Sequence, residues 1–97
     1  MTPGQRQLVL GILAAHLPHH VRVWVFGSRA TGTARRYSDL DLAIDADRPL
    51  TIDEVAVLRE AFEESDLPFR VDVIDWNATE ERFRRLVAAE RVPLMER

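Results

Sequence analysis

Val21-Arg22-Val23-Trp24-Val25-Phe26-Gly27-Ser28 (VRVWVFGS, 21–28) and Ser38-Asp39-Leu40-Asp41-Leu42-Ala43-Ile44-Asp45 (SDLDLAID, 38–45) decide how the rest of the chain is read. The first run is short, β-branched and aromatic, and Gly27-Ser28 closes it, so it predicts a buried strand running into a turn. The second alternates, which puts Asp39 and Asp41 on one face of a strand and Leu40 and Leu42 on the other. Working outward, Thr2-Pro3 followed by Leu8, Val9, Ile12, Leu13 and His16 reads as an amphipathic helix ended at Leu17-Pro18. Thr51 and Glu54 form a capping box for a second helix carrying Ile52, Val55, Leu58 and Phe62, which stops at Ser65 to Pro68. Phe69 to Trp76 (FRVDVIDW) predicts a third strand, with Val71 and Val73 on one face and Asp72 and Ile74 on the other. Asn77 and Glu80 offer another capping box, for a last helix with Phe83, Leu86 and Val87 inward, fading before Pro93. Helices alternating with strands indicate an α/β (α+β) fold: a small mixed sheet covered chiefly on one side by the longer helices, its polar face open.

The 97 residues suffice for one core, so residues 1–97 are expected to form a single domain. With no cysteine, disulfide scaffolds, thiolate metal sites and cysteine nucleophiles are excluded. All 13 basic residues are arginine, which removes Schiff-base lysines and a P-loop lysine. The apolar runs are too short for a membrane span and no signal core follows Met1, so a cytoplasmic protein without membrane association is expected. Acidic residues exceed basic ones by 16 to 13, and the net charge of −3 argues against long nucleic acid as a partner.

Asp39 and Asp41 leave the same strand face with attachment points about 6.6 Å apart. At an effective dielectric near 20, two such carboxylates repel by roughly 2.5 kcal/mol, and a third on a neighbouring strand adds a similar amount. Asp72 is the preferred third group. It lies inside an apolar run, where an unpaired carboxylate is costly, whereas Asp75 at the strand end can be solvated or help start the next helix. A hard divalent cation turns the repulsion into attraction, and Mg²⁺ in particular binds one or two carboxylates while phosphate oxygens and water complete its shell. Gly27-Ser28, directly after a strand, allows close backbone approach and exposed N–H groups for phosphate oxygens, with Gly32 as a second flexible point. The blander reading makes Asp39 and Asp41 the solvated face of an edge strand and Ser28 a turn residue.

Gly27-Ser28-Arg29-Ala30-Thr31-Gly32 followed by Ser38-Asp39-Leu40-Asp41-Leu42 resembles the signature of the DNA polymerase beta-like nucleotidyltransferases, and more narrowly of their minimal nucleotidyltransferase branch. The resemblance spans nearly the whole chain and implies that family's fold. It also implies that Gly27 and Ser28 hold the phosphates of a nucleoside triphosphate, with ATP the family-weighted choice. Asp39, Asp41 and Asp72 would be catalytic and would bind two Mg²⁺ ions, and Ser28 would be a phosphate ligand, not a nucleophile. Arg29 and Arg36 flank the motif and are candidates to neutralise triphosphate charge, as solvated loop residues or as ligands. His16, His19 and His20 cluster where a helix end favours partial positive charge and are not read as metal ligands.

No residues remain for an acceptor-binding domain, and in the minimal branch a separately encoded small all-helical protein, substrate-binding or HEPN-like, often supplies it, in some pairs as toxin and antitoxin. Homodimerisation is the second arrangement expected. The ending RVPLMER is read either as an apolar contact surface or as a tail folded onto its own core. The expected activity is Mg²⁺-dependent transfer of a nucleoside monophosphate to a hydroxyl. The alternatives are a nucleotide- or partner-binding regulatory module with little turnover, and a plain structural interaction protein.

Overall fold

The computed structural model describes residues 1–96. Its elements are α1 (Pro3–His16), β1 (Arg22–Phe26), α2 (Ser28–Thr31), β2 (Leu40–Asp45), α3 (Ile52–Glu63), β3 (Val71–Asp75), a 3-10 turn (Trp76–Ala78), α4 (Glu81–Glu90) and β4 (Val92–Glu96). The four strands form one sheet in the order β3-β2-β1-β4. β1 pairs antiparallel with both β2 and β4, while β2 and β3 run parallel, which requires the crossover that α3 supplies.

Local signals account for the two longer helices. Thr2 caps α1 in a reciprocal box with Gln5, with Pro3 at the first helical position, and Thr51 caps α3 in the same way with Glu54. α1 and α3 cover one sheet face. Val9 and Leu13 from α1 and Leu58 and Phe62 from α3 pack on Val23, Val25, Leu40, Leu42, Ile44 and Val73, all of them buried. Because side chains alternate along a strand, burying Leu40 and Leu42 turns Asp39 and Asp41 to the opposite face.

That opposite face is not wholly open, contrary to the expectation from the sequence. α4 lies on it, with Val87 buried against Phe26 and Ala43 and with Trp24, Ile74 and Trp76 around them. The sequence counts Leu86 on the inner face of this helix, yet Leu86 is 64% exposed. A short helix crossing a sheet buries a narrower stripe than one packed between layers. Nor does Asn77 cap α4, whose N-cap residue is Glu80, without a side-chain cap hydrogen bond. Asn77 sits in the 3-10 turn, where its side-chain amide donates to Asp45 Oδ1 at 2.8 Å and to the Arg48 carbonyl at 3.3 Å.

The ending resolves in favour of a tail folded onto the core: it is strand β4. The register between β1 and β4 shifts between Val23 and Trp24, setting Met95 opposite Val23 and Pro93 opposite Trp24. This slack lets Leu94 reach the core, and Pro93 is tolerated because β4 is an edge strand. No helix among the described residues is long and apolar enough to cross a membrane.

Leu58→Ala is expected to cost about 2–5 kcal/mol of folding stability and Leu86→Ala less than about 0.5 kcal/mol, compared by urea unfolding. Equal losses would contradict the placement of α4.

Candidate active site

Two strands bring the acidic residues together, and a third ends beside them. In the antiparallel register Asp41 faces Phe26, the last residue of β1, and in the parallel register it stands beside Asp72. Adjacent strands lie about 4.8 Å apart, so the Asp41 and Asp72 side chains leave the same face as immediate neighbours. Asp39 joins them one alternation earlier. The Leu40 N–H donates to the Arg70 carbonyl at 2.9 Å, extending the β2–β3 pairing so that Arg70 shares the face of Asp72.

Beyond Phe26 the chain turns sharply at Gly27, whose φ of +73° lies in the left-handed region that disfavours a side chain. Space is a second reason for glycine: a Cβ built there would collide with Asp41 Oδ2. Backbone and carboxylate are in direct contact, so the turn and the acid cluster form one site. Ser28 begins α2, and Gly32 ends it in a left-handed cap that returns its N–H to the Ser28 carbonyl.

The electrostatics separate two aspartates of the same strand. The Asp41 pKa is raised, first by burial, then by the neighbouring charges of Asp72 and Asp39, with Glu90 adding to them and Arg70 opposing. Burial pushes Asp45 up as well, but the Asn77 amide, the Asp47 N–H and Arg22 outweigh it and hold Asp45 below the usual range. Asp45 is therefore satisfied and structural, whereas Asp41 carries uncompensated negative charge.

Two residues at the site went unread in the sequence. Arg70 Nη2 lies 3.0 Å from Asp72 Oδ2 and 3.7 Å from Asp39 Oδ2, a cation spanning two of the three acids. Its spacing of two from Asp72 was the available signal. Glu90, at the end of α4, accepts from the Gly27 N–H at 2.9 Å, and no local pattern announces so distant a contact.

The other candidates separate. Asp75 accepts from the Asn77 N–H and the Leu50 N–H at 3.1 and 2.7 Å, fixing the turn after β3, and takes no part in the acid cluster. Arg29 donates from Nε and Nη2 to the Ser38 carbonyl at 3.0 and 2.8 Å, and its guanidinium lies 4.2 Å from the centre of the Phe69 ring. It ties down the loop that leads into Asp39. Arg36 lies over the exposed Tyr37 ring at 5.4 Å.

Among the described residues no group of three or more acidic or histidine side chains is arranged to hold a metal ion. Asp39 and Asp72 are engaged with Arg70 instead. The donor set still fits Mg²⁺: hard carboxylate oxygens on one face, uncompensated at Asp41, for an ion that needs only one or two of them. An apolar groove of about 480 Å³ between α3 and β3, lined by Leu50, Val55 and Val73, contains none of these acids. The acid cluster lies at the open end of the other face.

The family model described as "Polymerase beta, Nucleotidyltransferase" matches residues 12–97. The chain belongs to the polymerase beta-type nucleotidyltransferase family. It is 47% identical over 90 residues to "Probable protein adenylyltransferase MntA" of Haemophilus influenzae, an alignment covering 93% of this chain and 78% of that protein. A solved candidate minimal nucleotidyltransferase is 38% identical, with a TM-score of 0.68, over 93% of this chain and 89% of that one. The same fold occurs in a crystal structure of a toxin–antitoxin with AMP-PNP, at 24% identity and a TM-score of 0.80, covering 95% of this chain and 73% of that chain. This nucleotidyltransferase is thus similar over most of its length to a solved minimal one.

The raised pKa of Asp41 has a consequence for stability. The folded state binds this proton more tightly than the unfolded chain, so the group's contribution to stability is present below the ordinary value of 3.8 and is lost as pH rises through the raised value. Asp41→Asn, which cannot ionise, is therefore expected to raise the melting temperature at pH 7 without divalent cation by a few degrees. The gain should shrink as pH falls toward 3.8 in calorimetric scans. Gly27→Ala is expected to cost at least about 1–3 kcal/mol of stability in the same scans.

Proposed function

We propose that this nucleotidyltransferase transfers AMP from ATP, with Mg²⁺, to a hydroxyl on a separately encoded small helical protein, as the antitoxin of a toxin–antitoxin pair. The observation that carries the reading is the direct contact between the Gly27 backbone and Asp41, with Asp39 and Asp72 on the same face. That contact sets a phosphate cradle against a cluster of acids. The relative named as a protein adenylyltransferase supports the adenylyl group and the protein acceptor. A fold neighbour from Shewanella oneidensis, described as a tri-AMPylated HEPN toxin in complex with MNT antitoxin, supports the helical partner; it is 17% identical with a TM-score of 0.75, covering all of this chain and 74% of that one.

In this reading the Gly27 and Ser28 amides hold phosphate oxygens, which the left-handed turn presents without a side chain in the way. Asp39, Asp41 and Asp72 would hold two Mg²⁺ ions. When bound, Mg²⁺ supplies charge neutralisation at the α-phosphate and the leaving pyrophosphate. One carboxylate of the cluster takes the proton of the attacking hydroxyl as its oxygen bonds to the α-phosphorus and the bond to pyrophosphate breaks. Arg29 keeps the 36–38 loop in place, so that Asp39 enters β2 on the acid face. Arg36 is exposed beside Tyr37 and is available to meet triphosphate charge or an acidic partner surface.

The test is to purify the chain with the small helical protein encoded beside it, add Mg²⁺ and each nucleoside triphosphate, and record intact masses. The partner should gain AMP from ATP, and Asp39→Asn or Asp41→Asn should slow this on the order of 100-fold or more. Nucleotide binding without transfer or pyrophosphate release would favour the regulatory-module reading instead.

A further inference from the structure

Glu90 has no role in the proposed chemistry, and its position is unfavourable by every local criterion. It is the last residue of α4, where the helix dipole disfavours a carboxylate, and no basic side chain occupies that turn. It also lies near enough to Asp41 to add to the repulsion there. What holds it is the Gly27 N–H, at 2.9 Å. The helix end is fixed by the next residue: the Arg91 guanidinium lies 3.9 Å from the Trp24 ring centre and 4.7 Å from that of Trp76, and the Arg91 N–H closes on the Val87 carbonyl at 2.8 Å. Trp24 on β1 and Trp76 in the turn after β3 thereby anchor α4 so that the carboxylate before Arg91 reaches the turn after β1.

We propose that Glu90 is an internal occupant of the phosphate cradle, holding the Gly27 amide until a phosphate oxygen of the nucleotide displaces it. The inference rests on the reading of Gly27 as a phosphate-holding residue. A carboxylate and a phosphate present the same kind of acceptor to a backbone N–H, an anionic oxygen, so both cannot use this amide at once. Arg70 is the counterpart at the acids, a guanidinium spanning Asp39 and Asp72 where the reading puts divalent cations. The site thus closes on itself with one group of each sign. The Glu90 contact is weak, being exposed and opposed by Asp41 and the helix dipole, so it keeps the turn ordered and yields to a ligand of higher charge.

The experiment compares wild type with Glu90→Ala, Glu90→Gln and, as a control for bulk charge, Glu81→Ala at the far end of α4. Binding of a non-hydrolysable Mg·ATP analogue, and of inorganic tripolyphosphate without metal, is measured by calorimetry, and the Gly27 amide resonance is followed by NMR. Both Glu90 variants are expected to melt no lower than wild type. Glu90→Ala should bind both ligands about 3- to 10-fold more tightly, with Glu81→Ala unchanged. The free-state Gly27 resonance should move in Glu90→Ala and move again on adding tripolyphosphate. Equal affinity in wild type and Glu90→Ala, or an equal gain in Glu81→Ala, overturns the proposal while leaving the nucleotide-binding reading intact. Weaker Mg·ATP binding by Glu90→Ala also overturns it, since Glu90 would then help to hold the cation. Absence of binding in every protein overturns both readings.

Discussion

The contact between the Gly27 backbone and the Asp41 carboxylate is the constraint on which the rest of the site depends. β1 must end, turn through a left-handed residue and leave at once, because a side chain at that position would collide with the Asp41 carboxylate. β2 cannot give way, since it is a central strand whose Leu40, Leu42 and Ile44 are fully buried on the inner face. A shift of one residue would exchange those leucines with the aspartates. Hydrophobic register therefore holds the acids in place, and the core behind the sheet positions the site in front of it.

Clustered negative charge makes this arrangement intrinsically costly, and the two ends of β2 show how the cost is handled. Asp45, on the same face as Asp41, has an amide, a backbone N–H and a guanidinium around its carboxylate. Asp41 has acidic neighbours and a distant share of Arg70. A carboxylate surrounded by donors serves the fold. One left in repulsion is poised for a ligand that brings positive charge, a common trade of stability for function.

Much of this was legible in the chain because the signals are local. The alternation in Ser38 to Ala43 is a period-two pattern, and nothing but a strand with one buried face explains it. The capping box at Thr51 appears where expected, and the helix start read at Thr2 proves to carry one too, since such hydrogen bonds span only three residues. Parity and flanking residues favoured Asp72 over Asp75 without deciding between them; the parallel register sets Asp72 beside Asp41. Local reasoning failed where a competing partner lay far away. Asn77 resembles a helix cap, but Asp45 and the Arg48 carbonyl claim its amide, and Leu86 fits the helical period but meets solvent. The ending RVPLMER was read as a contact surface or a folded tail and not as a strand, and only the free edge of β1 and a register shift make β4 acceptable there.

By itself the sequence determined which residues face together along each element, because backbone periodicity dictates that without help from the rest of the molecule. On that basis Asp39 and Asp41 were joined and Gly27 was marked as a turn, while the family was recognisable from the resemblance of the 27–32 and 38–42 motifs. Which elements meet was decided by the tertiary structure. The parallel pairing that sets Asp72 beside Asp41, the guanidinium of Arg70 across the acids and the reach of Glu90 to Gly27 all depend on strand order and on where α4 docks. Those contacts join residues far apart in sequence, and their energies exist only once the chain has packed.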